Sequence, residues 1–225
     1  MIYSLNKIWH ERKRFLPGII AVGFSILLIL FQGGLLVGQF SMTSTPIDHT
    51  SADLWVGHPR NLSVDLGRPI PERWLLDVAA QREVVEVETY VIGLIVLDRR
   101  DGRSELCTVI GSSLGEDALG AVRELTPELR RQLTEPGSVV VDESDLGRIG
   151  FKGIGDVAEV LGQRVRLVGV VQGLKSLAAP YLFCSVWTSR ILFSDIHPEQ
   201  TIFILARCRD RESADDVARR LWQKH

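Results

Sequence analysis

Cysteine is scarce, with only Cys107, Cys184 and Cys208 in a chain of 225 residues. An odd number cannot complete a disulfide framework, and the spacings match no zinc motif. Cys107 and Cys184 lie inside the apolar runs ELCTVIG and YLFCSV, where a free thiol behaves as a small buried hydrophobe. A single bridge that uses Cys208 stays open at this stage. The five histidines (His10, His49, His58, His197 and His225) are scattered, with no pair at helical ligand spacing. No metal centre and no cofactor is therefore expected. The chain has no internal repeat and no low-complexity stretch, which argues against a solenoid or a disordered tail. Residues 41–225 carry 22 basic and 27 acidic side chains. Without a basic excess, nucleic acid is excluded as an expected partner.

Charge of either sign is missing altogether from Phe15 to Phe40, FLPGIIAVGFSILLILFQGGLLVGQF. Taken as helix, Leu16 to Phe40 spans roughly 37 Å, which covers the ~30 Å hydrocarbon core of a bilayer with some tilt. Gln32 and Gln39 are its only strongly polar side chains, and both lie in the distal half. Pro17 is expected in the first turn, where its missing N–H costs little. Gly33, Gly34 and Gly38 offer a second helix a close approach. A core helix of a soluble protein rarely reaches this length without a charge. A cleaved signal peptide needs a shorter apolar region and a small-residue cleavage site. The reading is a retained anchor. Lys7, Arg12, Lys13 and Arg14 precede it with only Glu11 against them, and this basic head sets the N-terminus in the cytoplasm. The expected organisation is a cytoplasmic basic segment at 1–14, a transmembrane helix at 15–40, and an extracytoplasmic domain at 41–225. Trp9 and Phe15 suit the membrane interface.

Past the anchor, Ala52–Val56 reads as a short extended segment, and residues 60–71 as loop. Pro71 suits the first position of a helix that carries Trp74, Leu75, Val78 and Ala79 at 3- and 4-residue steps. VVEVETYVIGLIVL (84–97) is β-branched and reads as one or two strands. Asp101-Gly102 is a hairpin turn signal that joins this segment to Ser104–Ile110. Residues 116–134 are expected as two short helices broken at Thr126-Pro127. A buried strand at Ser138–Asp142 follows, then a helical turn that ends at Gly150. Val157–Leu161 and Val165–Gln172 form a second hairpin about Gly162-Gln163. Tyr181–Trp187 and Thr201–Arg207 are the last strands, and Ser213 caps a final helix. Short strands and helices with hairpin connections give a mixed α+β extracytoplasmic domain, with room for two subdomains, rather than a doubly wound parallel sheet.

Gly111-Ser112-Ser113-Leu114-Gly115 fits the G-x-S-x-G nucleophile elbow, and it follows a strand. Asp142, Asp145 or Asp156 followed by His197 completes the chain order of a hydrolase triad, with Ser113 as nucleophile. Only three positions are fixed by the pattern, and the strand–helix alternation of that fold is missing, so a polar loop is the preferred reading. Gly150-Phe-Lys-Gly153-Ile-Gly155 reverses the dinucleotide-binding order and opens a strand, not a helix. Asp142, Glu143 and Asp145 form an acidic cluster at a strand end without any substrate-positioning pattern. No catalytic, cofactor-binding or metal-binding residue is assigned, and the chain is not read as an enzyme.

Taken in order, ADLWV (52–56), VIGSSLG (109–115), PGSVVVDESDLGRIGFKGIGDVAEVLGQRVRLVGVVQG (136–173) and APYLFCSVWTSRILF (179–193) resemble the MacB-like periplasmic core of ABC transporter permeases. Within the FtsX/MacB superfamily the DevC-type permeases are the nearest in pattern. The resemblance implies a permease subunit whose first span is followed by a large periplasmic domain, with three further spans after it. It implies an ABC ATPase partner that alone holds ATP, a periplasmic adaptor (membrane-fusion) protein, an outer-membrane channel reached indirectly, and a second copy of the chain. It also implies an inner-membrane location and an efflux role without bond chemistry. Residues 194–225 contain no apolar run of spanning length, so the three later spans are expected to be lacking, as in a split or truncated form or a single-span relative. The alternatives are a membrane-anchored interaction module without a transport cycle, and an anchored serine hydrolase that uses Ser113.

Overall fold

The computed structural model describes residues 12–99, 101–176 and 178–224. Lys7 and Trp9 lie outside the described residues. The chain forms two compact units, one ending at Thr43 and the other beginning at Ser44.

The first unit is helix α1, Arg12–Thr43. Its stretch Leu16–Gly38 has a mean hydropathy of 2.4, and none of it is buried within the chain. Ile29, Leu30, Phe31 and Val37 are each at least 66% exposed. In water such a surface is strongly unfavourable, at ~25 cal/mol per Å²; in hydrocarbon it costs nothing. Ser25 resolves its own polarity by donating to the carbonyl of Ala21 at 2.9 Å. Pro17 is not in the first turn. The helix has already begun at Arg12, so the proline leaves the Lys13 carbonyl without its intrahelical partner.

The second unit opens with a single helical turn, α2 (Thr45–Asp48), and then strand β1 (Leu54–Gly57). β2 (Ile70–Pro71) is followed by helix α3 (Trp74–Ala79). Pro71 therefore lies in a two-residue strand and not at the start of α3. It faces Gln200 of β9 (Gln200–Thr201), where a proline is tolerated because the ladder is too short to need its N–H. β3 (Val84–Asp98) is one strand of 15 residues, about 50 Å long at ~3.3 Å per residue. Its partner in the hairpin is β4 (Ser104–Ser112), in register from Asp98↔Ser104 to Val91↔Gly111. Gly102 in the connecting turn has φ +79°, the left-handed conformation for which glycine is suited.

The first of the two helices expected at 116–134 is absent. Only α4 (Pro127–Leu133) forms, with the hydroxyl of Thr126 accepting from Leu129 N–H at 3.3 Å. Residues 118–122 are buried, but their backbone is engaged elsewhere. Leu119 N–H goes to the carboxylate of Glu88, and its carbonyl accepts from Ser51 N–H. Strand β5 (Ser138–Asp142) is buried at every residue. A 3-10 turn at Glu143–Asp145 and helix α5 (Leu146–Ile149) follow and stop at Gly150, φ +88°.

β6 (Val157–Val160) and β7 (Gln163–Val171) pair around Leu161-Gly162, one residue earlier than the glycine pattern indicates. β8 is Tyr181–Ser185. Val186 and Trp187 belong to helix α6 (Val186–Leu192), because the hydroxyl of Ser185 accepts from Thr188 N–H at 3.1 Å and caps a helix there. β10 (Phe203–Cys208) leads into α7 (Arg211–Lys224). Ser213 does not cap α7. Asp210 does, accepting from Ser213 N–H at 2.8 Å.

The principal sheet runs β1-β10-β3-β4-β8-β5-β7-β6, and β6 pairs back onto β3 at Leu97↔Val160 and Asp98↔Glu159. Six strands thus close into a ring. The β4–β8 and β5–β7 pairs are parallel and the others antiparallel, so the domain is mixed α+β. Two hydrophobic cores share β1, β3 and β10. Leu54, Val56, Ile204, Ala206 and Cys208 face a core closed by α3 and α7, whereas Trp55, Phe203 and Leu205 face the ring core. This is the period-two alternation of a strand with both faces covered. Cys107, Cys184 and Cys208 are all buried free thiols, which removes the bridge left open for Cys208.

Candidate functional site

β3 passes from one core to the other, and Glu88 lies at the crossing. Val84–Tyr90 pairs with β10, while Val91–Asp98 pairs with β4. Glu88 is 8% exposed. One of its carboxylate oxygens accepts from Leu119 N–H at 3.0 Å, the other from Gly120 N–H. Burial pushes its pKa up; the Leu119 and Gly120 N–H bonds and the Ser113 hydroxyl oppose this, and Glu86 adds to it. A Cβ on Gly120 would lie 2.5 Å from the Tyr90 ring and 2.8 Å from the carboxylate, so the loop fits against β3 only through glycine. Beside it Trp55, Tyr90 and Phe203, from three adjacent strands, pack edge to face, with Trp55 at 5.0 Å and 5.5 Å from the other two rings. Such pairs contribute about 0.5–1.5 kcal/mol beyond their area.

This geometry decides the role of Ser113. Its side chain lies on the Glu88 carboxyl and lowers that group's pKa, and no hydrogen bond joins it to an imidazole among the described residues. His197 is exposed and turns Nδ1 toward Glu199 N–H at 3.4 Å, in a depression it shares with Pro71, Glu72 and Arg73. Gly111 is needed for packing: a Cβ there would meet the Ser189 side chain at 2.1 Å. Gly115 has nothing within 4 Å and a glycine is not required there. The elbow pattern therefore describes one tight contact with α6 and one loop serine.

The acidic cluster is used in caps and pairs. Asp142 accepts from Ser144 N–H at 2.9 Å, from the Ser144 hydroxyl at 2.6 Å and from Leu174 N–H at 2.7 Å. Glu143 accepts from Gln172 at 2.7 Å. Asp145 is fully buried, with Arg148 at 3.7 Å, and burial holds its pKa above the carboxylate range against the attraction of Arg148. Arg148 binds Glu105 of β4 at 2.9 Å and the carbonyls of Ser176 and Ala178 at 3.0 and 3.3 Å, fastening α5 and β4 to those two residues. The glycines after α5 are turn residues: Gly155 has φ +93°, and Asp156 accepts from Lys152 N–H at 2.7 Å. Among the described residues, no group of three or more His, Cys, Asp or Glu is placed to hold a metal ion.

Sequence reasoning missed Glu88 and Arg148. Glu86 and Glu88 alternate identically in VEVETY, and nothing local says that Glu88 is the one covered by a loop 31 residues downstream.

The sequence matches the family described as MacB-like periplasmic core domain over residues 19–224. No curated protein matches it. Among solved structures it is similar to the extracellular domain of the noncanonic ABC-type transporter YknZ from Gram-positive bacteria, at 10% identity and a TM-score of 0.48, over 72% of this chain and 86% of that one. It is also similar to the periplasmic region of MacB from Actinobacillus actinomycetemcomitans, at 14% identity and a TM-score of 0.49, over 80% and 87% of the two chains.

Proposed function

The chain belongs to the MacB-like periplasmic core domain family, and from that premise we propose that it is the membrane-anchored permease subunit of an inner-membrane ABC exporter of DevC type. The observation that carries this reading is the single continuous match, which begins inside α1 and ends at the last turn of α7. Residues 1–14 lie in the cytoplasm, α1 crosses the membrane, and residues from 41 onward lie in the periplasm. A partner ATPase hydrolyses ATP, and this chain converts the stroke into movement of the periplasmic domain without bond chemistry of its own. An adaptor protein, an outer-membrane channel reached through it, and a second copy complete the machine.

Two features support a mechanical role. β3 belongs to both cores, so displacement of the sheet carrying α3 and α7 is passed to the ring along covalent backbone. The crossing is held by the Glu88 carboxyl, which accepts from the N–H groups of Leu119 and Gly120, a stiff and specific joint. A second reading, an anchored interaction module without a transport cycle, draws on the fact that one helix among the described residues is long and apolar enough to span a bilayer.

The test joins topology to partnership. Alkaline phosphatase fused after Gly102 is expected to be active and green fluorescent protein at the same site dark; the reverse pattern refutes the topology. ATPase activity of the co-expressed ABC subunit is expected to rise when this chain joins it in nanodiscs. An unchanged rate with intact topology favours the interaction module.

A further inference from the structure

The segment that covers Glu88 leads on both flanks into an open cleft, formed by residues 114–116 and 123–126 together with α4. Its volume is about 890 Å³, within the range of roughly 300–1,000 Å³ that small-molecule sites occupy. Leu114, Leu125 and Pro127 give it an apolar wall, and Arg123, Arg130 and Arg131 line it as well. Glu116 is the one carboxylate among the lining residues. Arg130 is half-buried and held in place by three carbonyls. Its Nε donates to Leu125 at 3.0 Å, and its Nη1 donates to Gly115 and Glu116 at 2.6 and 3.3 Å. Nη2 of Arg130 is left without a hydrogen bond among the described residues. Arg123 is exposed and donates from Nη2 to the Asp48 carbonyl. Carbonyls orient a guanidinium without neutralising it, and neither arginine makes an ion pair among the described residues. Arg131, by contrast, is paired with Glu128. Fixed positive charge without a counter-ion therefore meets an apolar wall inside one cleft.

We propose that this cleft binds a small amphipathic organic anion, a molecule with a single negative charge on an apolar body. The free amino group of Arg130 and the unused N–H groups of Arg123 donate to the anion's oxygens, as guanidinium does to carboxylate and phosphate. The apolar body rests on Leu114, Leu125 and Pro127, where its contact with water is lost. A neutral molecule of the same shape leaves both arginines unanswered. Glu116 repels further negative charge, which favours a monoanion over a polyacidic segment.

The experiment titrates phenylbutyrate into the full chain in nanodiscs of zwitterionic lipid at low salt, with empty nanodiscs subtracted, and reads the heat of binding. Saturable binding is expected, about tenfold tighter than that of acetate, which lacks the apolar body, or of phenylbutanol, which lacks the charge. Arg123→Glu is expected to weaken phenylbutyrate about tenfold or more, and added salt to weaken it in the wild type. Glu116→Gln is expected to tighten it about threefold, a gain that a folding defect cannot produce. If Arg123→Glu loses its fold, because the link to Asp48 is needed, the gain in Glu116→Gln decides alone. Binding that does not saturate, that ignores both substitutions, or that is equal for phenylbutyrate and phenylbutanol overturns the proposal. A polyglutamate peptide that binds more tightly than phenylbutyrate and displaces it gives the cleft to an acidic segment of a partner protein, and overturns it as well.

Discussion

Replacing Glu88 tests the joint between the two cores directly. In Glu88→Ala the N–H groups of Leu119 and Gly120 lose their acceptors inside the protein, where Leu119 is 0% exposed. A buried donor left unpaired costs about 1–3 kcal/mol. Two of them total about 2–6, and relief from burying a carboxylate offsets part of this. The expected net loss is about 3 kcal/mol. For a unit of roughly 180 residues that lowers the unfolding temperature by about 6–12 °C. Glu88→Gln keeps one acceptor but sets its NH2 group against the second N–H, and it is expected to lose about half as much. The pH dependence has a definite sign. Burial raises the pKa of Glu88 in the folded state, so the folded protein holds this proton more tightly than the unfolded chain. The proton-linked part of its contribution is then fully present below the unfolded carboxylate pKa and is lost as pH rises through the folded value, while the two accepted N–H bonds are counted separately. The stability difference between wild type and Glu88→Gln should therefore widen on acidification. Near-UV circular dichroism of the detergent-solubilised chain reads the transition, and hydrogen exchange at Leu119 and Gly120 reads the latch. If both variants melt with wild type and those two amides exchange no faster, the loop is held by something else and the reasoning fails.

Three further outcomes follow from particular contacts. Gly111→Ala drives a methyl group into Ser189 and is expected to cost about 1–3 kcal/mol, while Gly115→Ala, in open space, is expected to be neutral; equal denaturant midpoints for the two variants contradict this packing. Arg148→Met strips the fully buried Asp145 of its counter-charge. Since Arg148 itself is a third exposed, the expected cost by urea unfolding is about 2–3 kcal/mol, partly recovered in Arg148→Met/Asp145→Leu. The thiols of Cys107, pushed up to about 12 by burial, and of Cys184 and Cys208, also raised by burial, are expected to ignore maleimide in mildly alkaline buffer until the chain is unfolded; fast native labelling of any of them contradicts its burial.

The parts legible in the sequence are those whose cause is local. A charge-free run of spanning length makes α1 whatever follows it. Asp101-Gly102 sets the β3–β4 hairpin, and Glu135-Pro-Gly137 and Gly150 end their elements where left-handed backbone is required. The order of the body's motifs was enough to indicate the family. The errors have two origins, one distant and one a local cap that strand propensity masked. Residues 116–125 have helical composition, but their backbone bonds are claimed by Glu88 and Ser51, distant in the chain. Trp187 has strand propensity, but Ser185 caps a helix beneath it.

By itself the sequence determined the long apolar helix, the α+β class and most turns, because periodicity, charge and glycine act over a few residues. Tertiary structure alone decided that β6 returns to β3 and closes a ring, that Glu88 and not Glu86 is enclosed, that Ser113 lies near that carboxyl, and that β1 is the terminal strand of the sheet beside Trp222. Each of these depends on which distant segment covers a residue, and covering removes water, which sets the worth of a charge, a hydroxyl or an unpaired amide.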